Sequence, residues 1–434
     1  MSQCLELDRC GVTEERAAWS AVLSLSLGVF GLVTAELLPA SLLTPMASGL
    51  GISEALAGQA VSATAIVGFF AALLCGTATR GMDRRHVLMG FSGMLIASNL
   101  LVAIAPNLIL LMLARALLGV ALGGFWSMAT ATAIRLVPPA MISRALSLMF
   151  SGLSAAAVVA IPLGSSLGAL FGWRYVFVLA AGLGVATLLF QMTTLPRLPH
   201  VASTRPGVLL HVLQRRGVAF GVFSILAVFS AHFGLFTYVR PFLEGATGAG
   251  ANAVAATLLS FGVANFGGTL LAGPMIGRNL RLTLGAMPLV IGLVILGLAE
   301  FHAGIGAMVV LVGIWGLAYG AVPVAWSTWM ATVVPDETES GGGIMVAAVQ
   351  LAITLGAAGG GVIDASTGVA GVFVIGGGLM LAAAGLVFSF VRVTPSHPQT
   401  PSRRRSRPSA AEGEQAEMSV DTGASARRAP DTSR

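Results

Sequence analysis

Glu36 lies inside the first long apolar run of the chain, Trp19 to Leu43, where an ionised carboxylate is costly unless it is protonated, paired or facing water. A carboxylate in that position suits reversible proton binding. Arg115 interrupts another apolar run, and at 1.5 Å per residue both groups sit roughly 10 Å below the outer ends of their runs. The matching depth lets them share one cavity, with Glu36 alternately binding a proton and pairing with Arg115. A permanent ion pair that only braces the helices is the other reading. His232, at mid-depth in a later run, offers a second proton site or a hydrogen bond.

Other chemistries are disfavoured. The six histidines are scattered and the three cysteines lack ligand spacing, so no metal site is expected. All 24 basic residues are Arg, which removes the phosphate-loop Lys, any Lys Schiff base and, with them, direct ATP drive. No nucleophile and base are spaced as in an enzyme. The expected drive is a proton gradient, with no cofactor, no nucleic acid and no obligate protein partner.

The elements that must position these residues are membrane helices. Hydrophobic residues make up 56% of the 434 and charged residues 10%, with a mean hydropathy of +0.88, beyond the range of a soluble domain. Lipid-exposed backbone must satisfy its own hydrogen bonds, and the runs are continuous instead of alternating, so the class is an all-α membrane protein. Twelve spans are expected, at about 19–43, 55–79, 87–105, 108–133, 145–171, 175–195, 218–243, 251–276, 282–300, 305–331, 341–363 and 369–391. The polar stretch Pro196 to Arg216 divides them into two six-helix bundles. The expected domains are an N-terminal segment 1–18, bundles 19–195 and 218–391, a central loop 196–217 and a basic, disordered tail 392–434.

Loops after even-numbered spans hold Arg80, Arg84, Arg85, Arg135, Arg144, Arg197, Arg205, Arg215, Arg216, Arg278 and Arg281; loops after odd spans hold Arg174 and Arg240. Both termini are therefore expected in the cytoplasm of a bacterial inner-membrane protein. The loop after span ten is the exception, with Asp336, Glu337, Glu339 and no Arg.

The halves read as repeats. Span four ends in Trp126-Ser127 and span ten in Trp326-Ser327, span five carries Ile161 to Gly164 and span eleven Ile353 to Gly356, and Gly76 to Arg85 has an echo in Gly273 to Arg281. Such repeats suit a transporter whose bundles rock about a midplane site.

The loop Gly76 to Leu88, with Asp83-Arg84-Arg85, resembles the signature between helices two and three of the major facilitator superfamily. Arg80 stands where that pattern has Asp, Gly81 replaces its first Arg, and Asp83 takes its second Gly position. Arg115 with Gly119 resembles the superfamily's proton-coupling arginine motif, and Pro162 to Gly168 with Gly172-Trp-Arg174 its fifth-helix antiporter motif. Further strings, among them Glu36 to Met46, Gly123 to Trp126, Phe236 to Pro241 and Val322 to Trp329, make the chain most similar to the purine ribonucleoside exporters of the drug, sugar and nucleoside antiporter group.

The resemblance implies a proton antiporter exporting inosine- and guanosine-like solutes, with broader drug or sugar efflux as the alternative. It casts Arg115 in proton coupling, alongside Glu36 and His232 as read from their depth, and Gly76, Asp83, Arg84, Arg85, Pro162, Gly164 and Gly168 in gating and packing. A flat purine would stack on aromatic faces, for which Phe233, Phe236 and Trp315 lie nearest mid-membrane, and Gln350 suits a base edge or ribose hydroxyl. Trp126, Trp326 and Trp329 fall near span ends, where Trp anchors at the membrane interface.

Overall fold

Helix Trp19–Ser41 (α1) opens the computed structural model, which describes residues 17–199, 208–215, 217–247, 251–300, 304–391 and 393. There follow Leu43–Leu50 (α2), Glu54–Ala78 (α3), Arg84–Ile104 (α4), Leu108–Arg135 (α5), Ile142–Phe171 (α6) and Trp173–Thr194 (α7). The short Val208–Leu213 (α8) lies in the central loop, and Val218–Thr247 (α9), Ala251–Glu300 (α10), Ile305–Val333 (α11) and Thr338–Phe390 (α12) complete the fold. The expectations of a disordered tail 392–434 and an N-terminal segment 1–18 fall almost wholly outside the described residues.

Short polar side chains start the helices where the apolar runs begin. Ser53, Asp83 and Asn107 accept backbone N–H groups in the first turns of α3, α4 and α5. Among the described residues, ten helices are long and apolar enough to cross a bilayer. The 50 residues of α10 and 53 of α12 would extend about 75 and 80 Å, more than twice a ~30 Å hydrocarbon core, and both break midway. In α10, Asn279 leaves the helical conformation and accepts the N–H of Leu282 at 2.9 Å, capping the second arm. In α12, Gly368 takes φ 75°, which a Cβ disfavours. The arms 251–278, 280–300, 338–367 and 369–390 bring the crossings to the expected twelve.

Glycines at helix contacts reveal how the halves correspond. A Cβ on Gly152 would lie 2.1 Å from the Ser26 carbonyl oxygen where α6 crosses α1, and one on Gly356 would lie 2.3 Å from that of Ser230 where α12 crosses α9. The crossings of Gly119 on Thr64 and Gly123 on Gly68 recur as Gly316 on Phe261 and Gly320 on Asn265. This register differs from the one read in the sequence: Gly356 corresponds to Gly152, not Gly164, and Trp326 does not correspond to Trp126. Backbone approach sets the register, and the recurring Trp-Ser pairs stand outside it.

One more expectation changes. Trp326 and Trp329 are fully buried against each other, with ring centroids 5.4 Å apart, and Trp329 fills the space left by Gly221, so neither is an interface anchor. Two of the three acids after span ten pair with arginines of other loops, Asp336 with Arg215 at 2.6 Å and Glu339 with Arg84 at 2.5 Å.

Candidate functional site

Pro39 lies within α1 and has no N–H, so the carbonyl of Ala35 loses its helical donor. Arg115, wholly buried on α5, supplies the replacement: Nη1 donates to the Ala35 oxygen at 2.8 Å and Nη2 to the Glu36 carbonyl oxygen at 3.4 Å. Nε reaches the Ala60 oxygen of α3 at 3.5 Å, and Thr64 donates to the Arg115 carbonyl at 3.2 Å. The guanidinium is therefore a clamp on the broken backbone of α1. The sequence led us to expect Glu36 to pair with Arg115 or be tuned by it: the two charges interact electrostatically, but no salt bridge among the described residues joins them directly, and Glu36 is half-buried. On the other side of this break, Gly164 of α6 sits against Leu38 and Ser41, and Gly168 against Leu42. Pro162, two residues before Gly164, is exposed.

In the second half the structure gathers four of the residues singled out in the sequence. His232 accepts the indole N–H of Trp315 at Nδ1, 3.3 Å away, and stacks its ring on Tyr319 with centroids 3.3 Å apart and 7° between the planes. Phe236 and Phe261 lie nearly parallel to His232 at 5.7 and 6.1 Å, and Phe233 meets it edge-on at 5.2 Å. Trp315 is fully buried, so in this conformation its face is covered; Phe236 is 41% exposed and Phe233 partly so. Phe261 and Tyr319 escaped the sequence reading. Tyr319 stands one helical turn after Trp315, a spacing that could have pointed to it, whereas Phe261 lies on another helix and carries no such signal.

Gln350 stands apart, on the face of α12 turned to the first half, and its Nε2 lies 3.5 Å from where a Cβ on Gly68 would be. That nitrogen is buried and makes no hydrogen bond. Along the same face Gly343, Ala347 and Gln350 are buried while Thr354 and Ala358 are exposed. Helix α6, which packs on α10 of the second half, repeats the trend: Ser147 and Ser154 are buried and Ile161 and Ser165 exposed. The halves are pressed together toward the arginine-rich end and part beyond Gln350.

That end is latched by Arg84, whose Nε and Nη2 grip both carboxylate oxygens of Glu339 on α12 at 2.7 and 2.5 Å. Nη1 also donates to the Thr79 carbonyl at 2.9 Å. The acid missing from the loop motif is thus supplied by the other half. Asp83 plays a different part, accepting the N–H of Arg85 and of Leu198, each at 2.9 Å, while Arg84 N–H donates to the Leu198 carbonyl. Burial acts against its ionisation, yet these backbone donors hold its carboxyl below the usual range. Arg85 donates to the Met192 carbonyl at 2.6 Å. Gly76 lies on α3, two residues before its end.

A family model described as the Major Facilitator Superfamily matches residues 23–299 and 222–428. The chain belongs to the major facilitator superfamily. The purine ribonucleoside efflux pump NepI of Salmonella paratyphi B is 42% identical over 380 residues, covering 88% of this chain and 96% of the relative. Those of Salmonella typhimurium and Salmonella typhi match to the same extent. The superfamily transporter FucP, solved in the outward conformation, aligns with TM-score 0.72 at 16% identity over 87% of this chain and 100% of that one. The human organic anion transporter MFSD10 aligns with TM-score 0.68 at 17% identity over the same shares. Fold and relatives are those of a multi-pass membrane transporter of small molecules, not of an enzyme.

Proposed function

We propose that this transporter is a proton-coupled antiporter that exports purine ribonucleosides such as inosine and guanosine across the bacterial inner membrane. The observation that carries the substrate class is the aromatic wall of Phe233, Phe236 and Phe261, part of it exposed, in a chain 42% identical to pumps named for purine ribonucleosides. Flat bases stack on such faces with about 1–3 kcal/mol each. Gln350, at the depth where the halves part, adds a polar group with an unused donor.

Coupling rests on Glu36, the carboxylate of α1 that interacts electrostatically with Arg115 without a direct salt bridge, on a half-buried residue. Arg115 holds the backbone on which that carboxylate is mounted. The arginine-rich end faces the cytoplasm under the positive-inside rule, so both termini are cytoplasmic and the conformation is closed inward and parted outward. No cofactor takes part; the gradient supplies the drive.

The test is counterflow of radiolabelled inosine in proteoliposomes with and without an imposed pH gradient. Wild-type protein is expected to move inosine faster with the gradient, and Glu36→Gln to lose that acceleration. A Gln variant with unchanged dependence on the gradient would sink the coupling role of Glu36.

A further inference from the structure

The aromatic cluster is not required by the fold. The glycine crossings that relate the halves place Gly28, Leu32, Thr64, Leu118 and Leu122 where the second half has His232, Phe236, Phe261, Trp315 and Tyr319. The first half fills those positions with Leu32, Leu118 and Leu122, with Thr64 bonded to backbone carbonyls, and with Phe125 leaning over Gly28. A repeat that folds without the cluster in one half gives it another purpose in the other.

His232 is the residue that the cluster holds in place. Its ring rests on Tyr319 on one side, with Phe236 and Phe261 stacked on it as well, and its Nδ1 accepts from Trp315. A nitrogen that accepts carries a lone pair, so the ring is the neutral tautomer with its proton on Nε2. The neighbours named on α9, α10 and α11 are aromatic, and Tyr319 is the only titratable one among them. Among the described residues none hydrogen-bonds Nε2, and His232 keeps 3% exposure. A nearly buried N–H donor requires an acceptor, and none is supplied by the described residues.

We propose that His232 is a specificity residue that donates a neutral Nε2–H hydrogen bond to an acceptor atom of the transported base, with Trp315 and Tyr319 as its positioning residues. His232 on this account selects the solute and does not carry the coupled proton. The inference rests on the nucleoside reading above. Trp315 fixes the tautomer: without its N–H, the imidazole proton can move to Nδ1 and the edge left for the base becomes an acceptor.

The experiment is inosine transport in proteoliposomes, competed by analogues that each remove one acceptor: 7-deazainosine (N7), 3-deazainosine (N3) and purine riboside (O6, with the N1–H donor turned into an acceptor). Wild-type protein should discriminate against one of the three. His232→Phe should raise the KM for inosine about tenfold, the scale of one lost hydrogen bond, and erase that discrimination while keeping the response to the pH gradient. Trp315→Phe should weaken the discrimination through the tautomer, and His232→Gln, which keeps a donor, should restore much of it. Size-exclusion profiles separate misfolding from these effects, and the Gln variant keeps the test open if the Phe variant fails to fold. Wild-type inosine transport with unaltered analogue ranking in the folded variants, or loss of the gradient response in His232→Gln, would overturn the assignment alone. Absence of wild-type inosine transport would remove the nucleoside reading and the assignment with it.

Discussion

Arg115 shows how a single residue takes its role from a neighbour's missing atom. The Ala35 carbonyl is orphaned by Pro39, and leaving a buried acceptor unsatisfied costs about 1–3 kcal/mol. Arg115→Leu should therefore lower the melting temperature in detergent, and the loss should be smaller in a Pro39→Ala background, where residue 39 regains an N–H for that carbonyl. Equal losses in both backgrounds would show that the clamp on Ala35 is not what Arg115 contributes. The sequence placed Glu36 and Arg115 at one depth because depth follows from counting residues along a helix. Their actual contact, backbone to guanidinium, depends on helix rotation, which counting does not supply.

At the scale of elements, small residues decide where helices cross. Gly152→Val would drive a side chain into the Ser26 carbonyl, a clash that only backbone movement relieves, so folded protein should be lost or its melting temperature should drop markedly. Gly90→Ala on α4 meets nothing within 4 Å and should be silent or slightly stabilising, since Ala favours helix by up to about 1 kcal/mol. The loop before α9 is tied to the loop after α11 by Arg215 and Asp336. The Arg215 hydrogen bonds to Asp336 hold its carboxyl below the usual range, against partial desolvation. A depressed carboxyl contributes stability above its unfolded value and loses it as pH falls through the folded one. Wild type should thus melt higher than Asp336→Asn at neutral pH, and the gap should close on acidification below about pH 4.

For the whole molecule, the two halves share a skeleton but divide the chemistry. The first half holds the carboxylate of Glu36 and the cation of Arg115; the second holds the aromatic cluster, with Val312 at the place corresponding to Arg115. The halves are latched by Arg84 and Glu339, a bidentate pair with Arg84 almost wholly buried, which counts for more than an exposed bridge. Glu339→Gln should shift the population toward opening at the arginine-rich end, read as greater labelling of a cysteine introduced at Ser127, whose carbonyl now lies against Gly342. The exchange Arg84→Glu with Glu339→Arg should restore part of the wild-type labelling; no change in labelling for Glu339→Gln would exclude the latch.

The chain by itself determined the class, the twelve crossings, the candidate proton site and the charged end. Each follows from the cost of placing a given side chain in hydrocarbon, which is set residue by residue and needs no partner. Tertiary structure alone decided that Arg115 grips carbonyls, that Phe261 and Tyr319 join His232, that Glu339 supplies the acid for Arg84 across 255 residues, and how the repeats register. Those facts depend on the rotation and crossing of helices, set by close approach between backbones far apart in sequence, and apolar runs with so little amphipathic pattern leave that rotation unspecified.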